Sequence, residues 1–74
     1  MMEKFVIEIE VDLESKMTPD TTAVINAVVT LPSGEKLHGQ NFAERTPEEP
    51  YTNNEVVGAI QDAFETGKAM GLIR

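Results

Sequence analysis

The sequence predicts a small α+β domain in which a three-stranded antiparallel sheet packs against one C-terminal amphipathic helix. Three observations predict this fold: an alternation of apolar and acidic residues near the N-terminus, a hairpin signal after a β-branched segment, and a capped amphipathic segment near the C-terminus. Two such layers bury the apolar face of the sheet against the apolar stripe of the helix. With 74 residues, the chain is expected to form one domain over residues 1–74.

The first strand is predicted over about residues 3–14, because side chains alternate between the two faces of a strand. Its apolar face carries five residues: Phe5, Ile7, Ile9, Val11 and Leu13. The opposite face carries Val6 and a row of four carboxylates, which we call the acidic ladder: Glu8, Glu10, Asp12 and Glu14. A strand that is apolar on one face and charged on the other is typical of an antiparallel sheet with one solvated side.

The segment between residues 18 and 30 is compatible with two structures. Thr18 followed by Pro19 is typical of a helix start, whereas the β-branched residues of TTAVINAVVTL favour a strand. The sequence LPSGE follows and is typical of a hairpin turn, because Pro32 presets its φ angle and Gly34 tolerates a positive one. We therefore predict a second strand over about residues 22–31 and keep the helix as the alternative.

The third strand is predicted over about residues 35–43, with an irregularity in its middle. Leu37 and Phe42 are five residues apart, so simple alternation places them on opposite faces of the sheet. A bulge at Gly39 would return both side chains to the core, since a glycine inside a strand often marks a bulge.

The helix is predicted over about residues 53–70. Thr52 and Glu55 have the spacing of a capping box, and Gly71 predicts the end of the helix. Apolar or small residues recur at steps of three and four and form one stripe: Val56, Val57, Ile60, Ala63, Phe64, Gly67 and Met70.

The charge balance argues against several kinds of partner. The chain has 6 Lys and Arg against 13 Asp and Glu, a formal net charge of −7, and its basic residues are scattered. Direct binding to nucleic acid or to an anionic membrane surface needs clustered cations, so neither is expected. No apolar run approaches the ~20 residues that span a bilayer, and the N-terminus has no signal-peptide pattern. A cytoplasmic location is expected. Small size, strong acidity and the lack of cysteine would also suit an accessory protein of a phage or mobile element, although no particular residue indicates one.

Neither catalysis nor metal binding is expected from the residue types present. The chain has no cysteine and a single histidine, His38, so a zinc site has too few ligands. Ladder carboxylates spread along a strand do not converge as Ca²⁺ ligands do, and strand alternation leaves them in water and not in the apolar pocket that a catalytic carboxylic acid needs. We predict a protein that is not an enzyme and that takes no metal and no other cofactor.

The leading functional hypothesis is a small acidic interaction protein that docks on and modulates a larger, basic protein partner. The acidic ladder is the candidate binding surface, and an ordinary solvated face is the alternative explanation of the same residues. Only a small part of the docking hypothesis concerns mimicry of DNA, because the ladder alone carries about a quarter of the charge density of duplex DNA.

The alternative hypothesis is an assembly subunit that forms homodimers or larger oligomers. Val24 and Val28, with Val6 nearby, are predicted to form an apolar patch on the face of the sheet that the helix does not cover. A chain this small buries only roughly 60% of its unfolded surface, so covering such a patch with a second copy would add stability.

Overall fold

The computed structural model describes residues 2–73 and has the predicted α+β architecture. Strands β1 (Val6–Asp12), β2 (Ala23–Thr30) and β3 (Lys36–Ala43) are followed by helix α1 (Asn53–Ala69). The sheet is antiparallel with the order β1-β2-β3, so β2 is central and β1 and β3 are its edges. The segment that was compatible with a strand or a helix is therefore a strand over Ala23–Thr30.

The turn between β2 and β3 forms as its sequence predicts. The Gly34 N–H donates to the carbonyl of Leu31 at 2.8 Å, and Gly34 has a φ angle of 95°. Glycine adopts this left-handed conformation without the steric cost that a Cβ atom imposes. The turn thus sets the β2–β3 register, in which Val29 pairs with Leu37 and Ile25 pairs with Asn41.

Strand β3 contains no bulge, so the prediction at Gly39 was wrong. Pairing between β2 and β3 is continuous from Ala23↔Ala43 to Thr30↔Lys36. Leu37 is buried on the face toward the helix, whereas Phe42 lies on the opposite face and is exposed. Gly39 has a different structural role, because a Cβ atom there would lie 2.1 Å from the Ala59 carbonyl oxygen and 2.4 Å from the Ala63 nitrogen. The missing side chain lets the helix backbone approach the strand.

Local interactions define both ends of α1. At the N-terminus the Thr52 hydroxyl accepts a hydrogen bond from the Asn54 N–H, and Glu55 accepts one from the Thr52 N–H at 2.9 Å, which completes the predicted capping box. At the C-terminus Gly71 has a φ angle of 76°, and the Leu72 N–H donates to the Gly67 carbonyl at 2.9 Å. This is a Schellman ending, which directs the next residues back toward the core.

The core lies between α1 and the two strands β2 and β3. Its buried residues form two clusters, one with Ala23, Ile25, Ala27, Ala43 and Ala59, the other with Val29, Leu31, Leu37 and Ala63. Helix α1 packs mainly on β3 and β2, and β1 contacts mainly β2. The apolar row of β1 does face the helix side, as predicted, but the helix covers it only in part.

Within residues 2–73, no helix combines the length and the apolar character that a bilayer crossing requires.

Candidate functional site

The candidate site is built on β1, an edge strand with two chemically different faces. Three of the four ladder residues, Glu8, Glu10 and Asp12, lie on the strand face that points away from the helix, and all three are exposed. Glu14 is exposed too, but the strand ends at Asp12, so Glu14 lies in the bend that follows. The predicted strand was longer at both ends than the observed one; at the C-terminal end, alternation in the sequence continues past the last pairing with β2.

Asp12 differs from the other ladder residues because local hydrogen bonds hold its carboxylate. The Ser15 hydroxyl donates to Oδ2 at 2.6 Å, and the N–H groups of Glu14 and Ser15 donate to Oδ1 at 2.8 and 3.0 Å. These bonds, the Ser15 hydroxyl bond first, lower the pKa of Asp12 because they stabilise its charged form. Asp12 therefore fixes the turn after β1 and keeps its negative charge.

The ladder carboxylates have no cationic partner close by. Across residues 2–73 the only ion pair joins Arg45 to Glu55, with Nε and Oε1 2.7 Å apart, near the start of α1 and away from the ladder. Glu8 lies opposite Val28 in β2, and Glu10 lies opposite Asn26. The negative charge of the ladder is thus left to the solvent, or to a cation that another molecule supplies.

The outer face of the sheet is less apolar than the sequence suggested. Val24 lies on this face but is only 4% exposed, and Val28 is half-buried, whereas Val6 is 43% exposed. Apart from Phe42, which lies opposite Val24 and is exposed, the residues around these valines in the paired rows of the sheet are polar or charged: Glu8, Glu10, Asp12, Asn26, Thr30, Lys36, His38 and Gln40. Val24 therefore lies on the predicted face but adds little exposed apolar surface to it, and its role in an interface stays a prediction.

A larger apolar surface lies on the other face of β1, beside the helix. Phe5 and Ile7 are each 44% exposed and Ile9 is 36% exposed, although all three belong to the row that was predicted to be core. The facing side of α1 carries Ile60 and Phe64, which are half-buried, and the Phe5 and Phe64 rings are 6.2 Å apart. We call this surface the β1–α1 groove and define it by Phe5, Ile7, Ile9, Ile60 and Phe64.

The position of the helix explains why the groove is open. Gly39 of β3 faces Ala59 and Ala63, and these small residues let α1 lie close to β3. A single helix cannot cover all three strands equally, so an approach toward β3 leaves the first strand partly uncovered. In the sequence, this arrangement is indicated by three small residues: Gly39, Ala59 and Ala63. They can be interpreted in this way only once β3 and α1 are known to face each other.

The groove is open to solvent at its Phe5 end. A depression of about 650 Å³ is lined there by Glu3, Phe5, Phe64, Lys68, Leu72 and Ile73. A second depression of about 500 Å³ lies at the ladder end of β1, beside Glu10, Asp12 and Glu14. Among the described residues, no three Asp, Glu or His side chains are grouped as metal ligands. The chemistry that the site offers is apolar contact on one face and negative charge on the other.

Comparison of the chain with protein-family models, with curated proteins and with solved structures finds no match in any of the three.

Proposed function

We propose that the protein is a non-catalytic interaction protein that docks on a larger, basic protein partner through β1. The observation that supports this proposal is the row of exposed carboxylates on an edge strand, none of which is paired with a Lys or Arg within residues 2–73. Alternate residues of a strand are ~6.7 Å apart, and two unit charges at that distance in water repel by roughly 0.6 kcal/mol. A basic partner removes this repulsion and adds attraction.

A ladder of this kind acts mainly on the rate of association. Complementary charges steer two proteins together and raise the association rate constant at low ionic strength, and salt screens the effect over about 10 Å at 0.1 M. We therefore expect binding that weakens as the salt concentration rises, with most of the change in the association rate.

The test replaces the ladder with neutral side chains of the same shape. The ladder variant carries Glu8→Gln, Glu10→Gln, Asp12→Asn and Glu14→Gln, and it keeps the hydrogen-bond acceptor of residue 12 that fixes the turn. A matched control neutralises four exposed carboxylates elsewhere: Glu35, Glu48, Glu49 and Glu65, each changed to Gln. Both variants change the net charge from −7 to −3, so they differ only in where charge is lost.

Wild type and both variants are used to capture partners from native lysate at low and high salt, and the kinetics are then measured with the purified partner. We expect the ladder variant to slow association about tenfold at low salt and to flatten its salt dependence, while the control stays within about twofold of wild type. Equal effects of the two variants would assign the attraction to net charge alone. If neither variant changes binding, the ladder is an ordinary solvated face and the proposal fails.

The assembly role proposed from the sequence stays a prediction. The burial of Val24 leaves Val6, Phe42 and part of Val28 as the apolar surface on the outer face, and polar or charged residues separate them, so we place this hypothesis second. Sedimentation of the purified chain at high concentration tests it directly, because a mass equal to one chain would exclude a stable oligomer.

A further inference from the structure

The backbone of β1 presents hydrogen-bonding groups along its free edge. In an antiparallel sheet the N–H and C=O groups of successive residues point alternately to the two sides of a strand. The Gln40 N–H points away from β2, since it donates to Asp62 Oδ2 at 2.8 Å. The backbone hydrogen bonds between β3 and β2 are therefore made by the odd-numbered residues of both strands. The even-numbered residues of β2 then make their backbone hydrogen bonds with the even-numbered residues of β1: Val6, Glu8, Glu10 and Asp12.

It follows that the backbone groups of Ile7, Ile9 and Val11 point outward from the sheet. Within residues 2–73, no side chain makes a hydrogen bond to any of them. An edge with this pattern is a template on which another extended chain can add as a further strand.

The opposite edge of the sheet is blocked in part. On β3 the Gln40 N–H is taken by the Asp62 carboxylate, and the Phe42 N–H donates to the Asn41 side chain at 2.9 Å. These two bonds occupy the outward N–H groups of the middle and end of β3. Of the two edges, β3 is therefore protected over its second half, whereas side chains within residues 2–73 protect no outward group of β1.

The side chains along the accessible edge define the sequence that would fit beside it. A strand added to β1 places alternate side chains on the two faces of the sheet. Those on the helix side enter the β1–α1 groove beside Ile7 and Ile9, which favours apolar residues. Those on the other side lie next to Glu8 and Glu10, which favours Lys or Arg.

A second copy of this chain fits the same edge poorly. A two-fold antiparallel pairing keeps both helices on one face of the enlarged sheet, so the ladders of the two copies meet. The register that uses all of β1 centres on Ile9 and places Glu8 of each copy opposite Glu10 of the other. Like charges directly opposite each other destabilise a strand pair. Registers shifted toward the N-terminus avoid this contact but pair only a few residues of the strand.

We propose that β1 accepts, as a fourth strand, an extended segment of the partner in which apolar residues alternate with Lys or Arg. The inference rests on the proposed function and adds to it the partner's local sequence pattern and the manner of binding. Backbone hydrogen bonds to Ile7, Ile9 and Val11 align the segment, the groove takes its apolar side chains, and the ladder takes its cations.

The test uses a defined probe, the blocked heptapeptide Lys-Val-Lys-Ile-Lys-Val-Lys, with binding measured by fluorescence anisotropy at low salt. One control peptide has the same composition without alternation, and another has Glu in place of Lys. We expect the alternating peptide to bind at least tenfold more tightly than either control. The ladder variant and Ile9→Thr, which keeps a β-branched side chain in a half-exposed position, are each expected to weaken that binding several-fold.

Methylation of the peptide nitrogens separates strand addition from simple charge attraction. In an antiparallel addition the apolar residues direct their N–H groups to β1, and in a parallel addition the basic residues do. N-methylation of one set is therefore expected to reduce affinity at least tenfold, while methylation of the other set leaves affinity within about twofold. The set that matters reports the strand direction.

Two results would overturn the inference and leave the proposed function separate from it. If neither methylated set differs from the parent peptide while the ladder variant still weakens binding, docking by charge stands and strand addition fails. If the chain alone sediments as a dimer that the peptide does not dissociate, β1 pairs with a second copy or is not the binding edge. The partner-capture experiment with the ladder variant tests the proposed function independently of the peptide results.

Discussion

Replacing Gly39 by alanine tests the close approach of α1 to β3. An alanine Cβ atom at this position would lie 2.1 Å from the Ala59 carbonyl oxygen and 2.4 Å from the Ala63 nitrogen. Both are backbone atoms of a helix, so neither can rotate away as a flexible side chain would. An ordinary contact for a Cβ atom is about 3.4 Å or more, so the helix must move by about 1 Å or the strand must bend.

We expect Gly39→Ala to lower the free energy of unfolding by about 3 kcal/mol, at the upper end of the usual cost of overpacking a core. A loss of this size is serious for a small domain, since native proteins are stable by only about 5–15 kcal/mol. For a chain of this length each kcal/mol shifts the melting temperature by roughly 4–8 °C, so we expect Tm to fall by about 12–24 °C.

The assay is thermal and urea unfolding followed by circular dichroism, with Gly34→Ala as the matched control. A Cβ atom at Gly34 meets no atom within 4 Å, but the φ angle of 95° disfavours any side chain there. The control should therefore lose only about 1 kcal/mol, from backbone strain alone. If Gly39→Ala is as stable as wild type within about 0.5 kcal/mol, or less affected than the control, Gly39 does not determine how closely the helix packs on β3.

Two further predictions concern Glu55 and Asp62. The Arg45 hydrogen bond lowers the pKa of Glu55 from 4.5 to about 2, so ionised Glu55 stabilises the fold above pH 4.5 and that contribution is lost as the pH falls toward about 2. Because this ion pair is near the surface, we expect Glu55→Gln to lower the free energy of unfolding by about 1 kcal/mol at pH 7, measured by urea unfolding. The difference from wild type should vanish by about pH 2. A difference that does not change with pH would contradict a stabilising role of ionised Glu55. Asp62→Ala removes the acceptor of the Gln40 N–H, so we expect about 1 kcal/mol of destabilisation and faster hydrogen exchange at the Gln40 amide by NMR. An unchanged exchange rate at that amide would mean that Asp62 does not protect the β3 edge.

Local sequence determined the elements of this fold. The alternation from Phe5 to Leu13 specified a strand with one acidic face, because side chains on a strand alternate whatever the rest of the chain does. Thr52 and Glu55 specified the helix start, and Gly71 its end, through hydrogen bonds that span only a few residues. The residues of the acidic ladder followed from the same alternation, apart from Glu14, which lies just beyond the last strand pair.

Tertiary structure decided which surfaces these elements leave open. Gly39 was interpreted as a bulge from its own strand, and its actual role depends on Ala59 and Ala63, at least 20 residues further along the chain. The small residues at this contact let the helix lie close to β3. The helix-side row of β1, which was predicted to be core, therefore forms one wall of the β1–α1 groove. The protection of the β3 edge by Asp62 is another contact between distant residues. Strand and helix periodicity are properties of neighbouring residues, whereas the offset of one layer on another depends on side-chain volumes at positions that only the folded chain brings together.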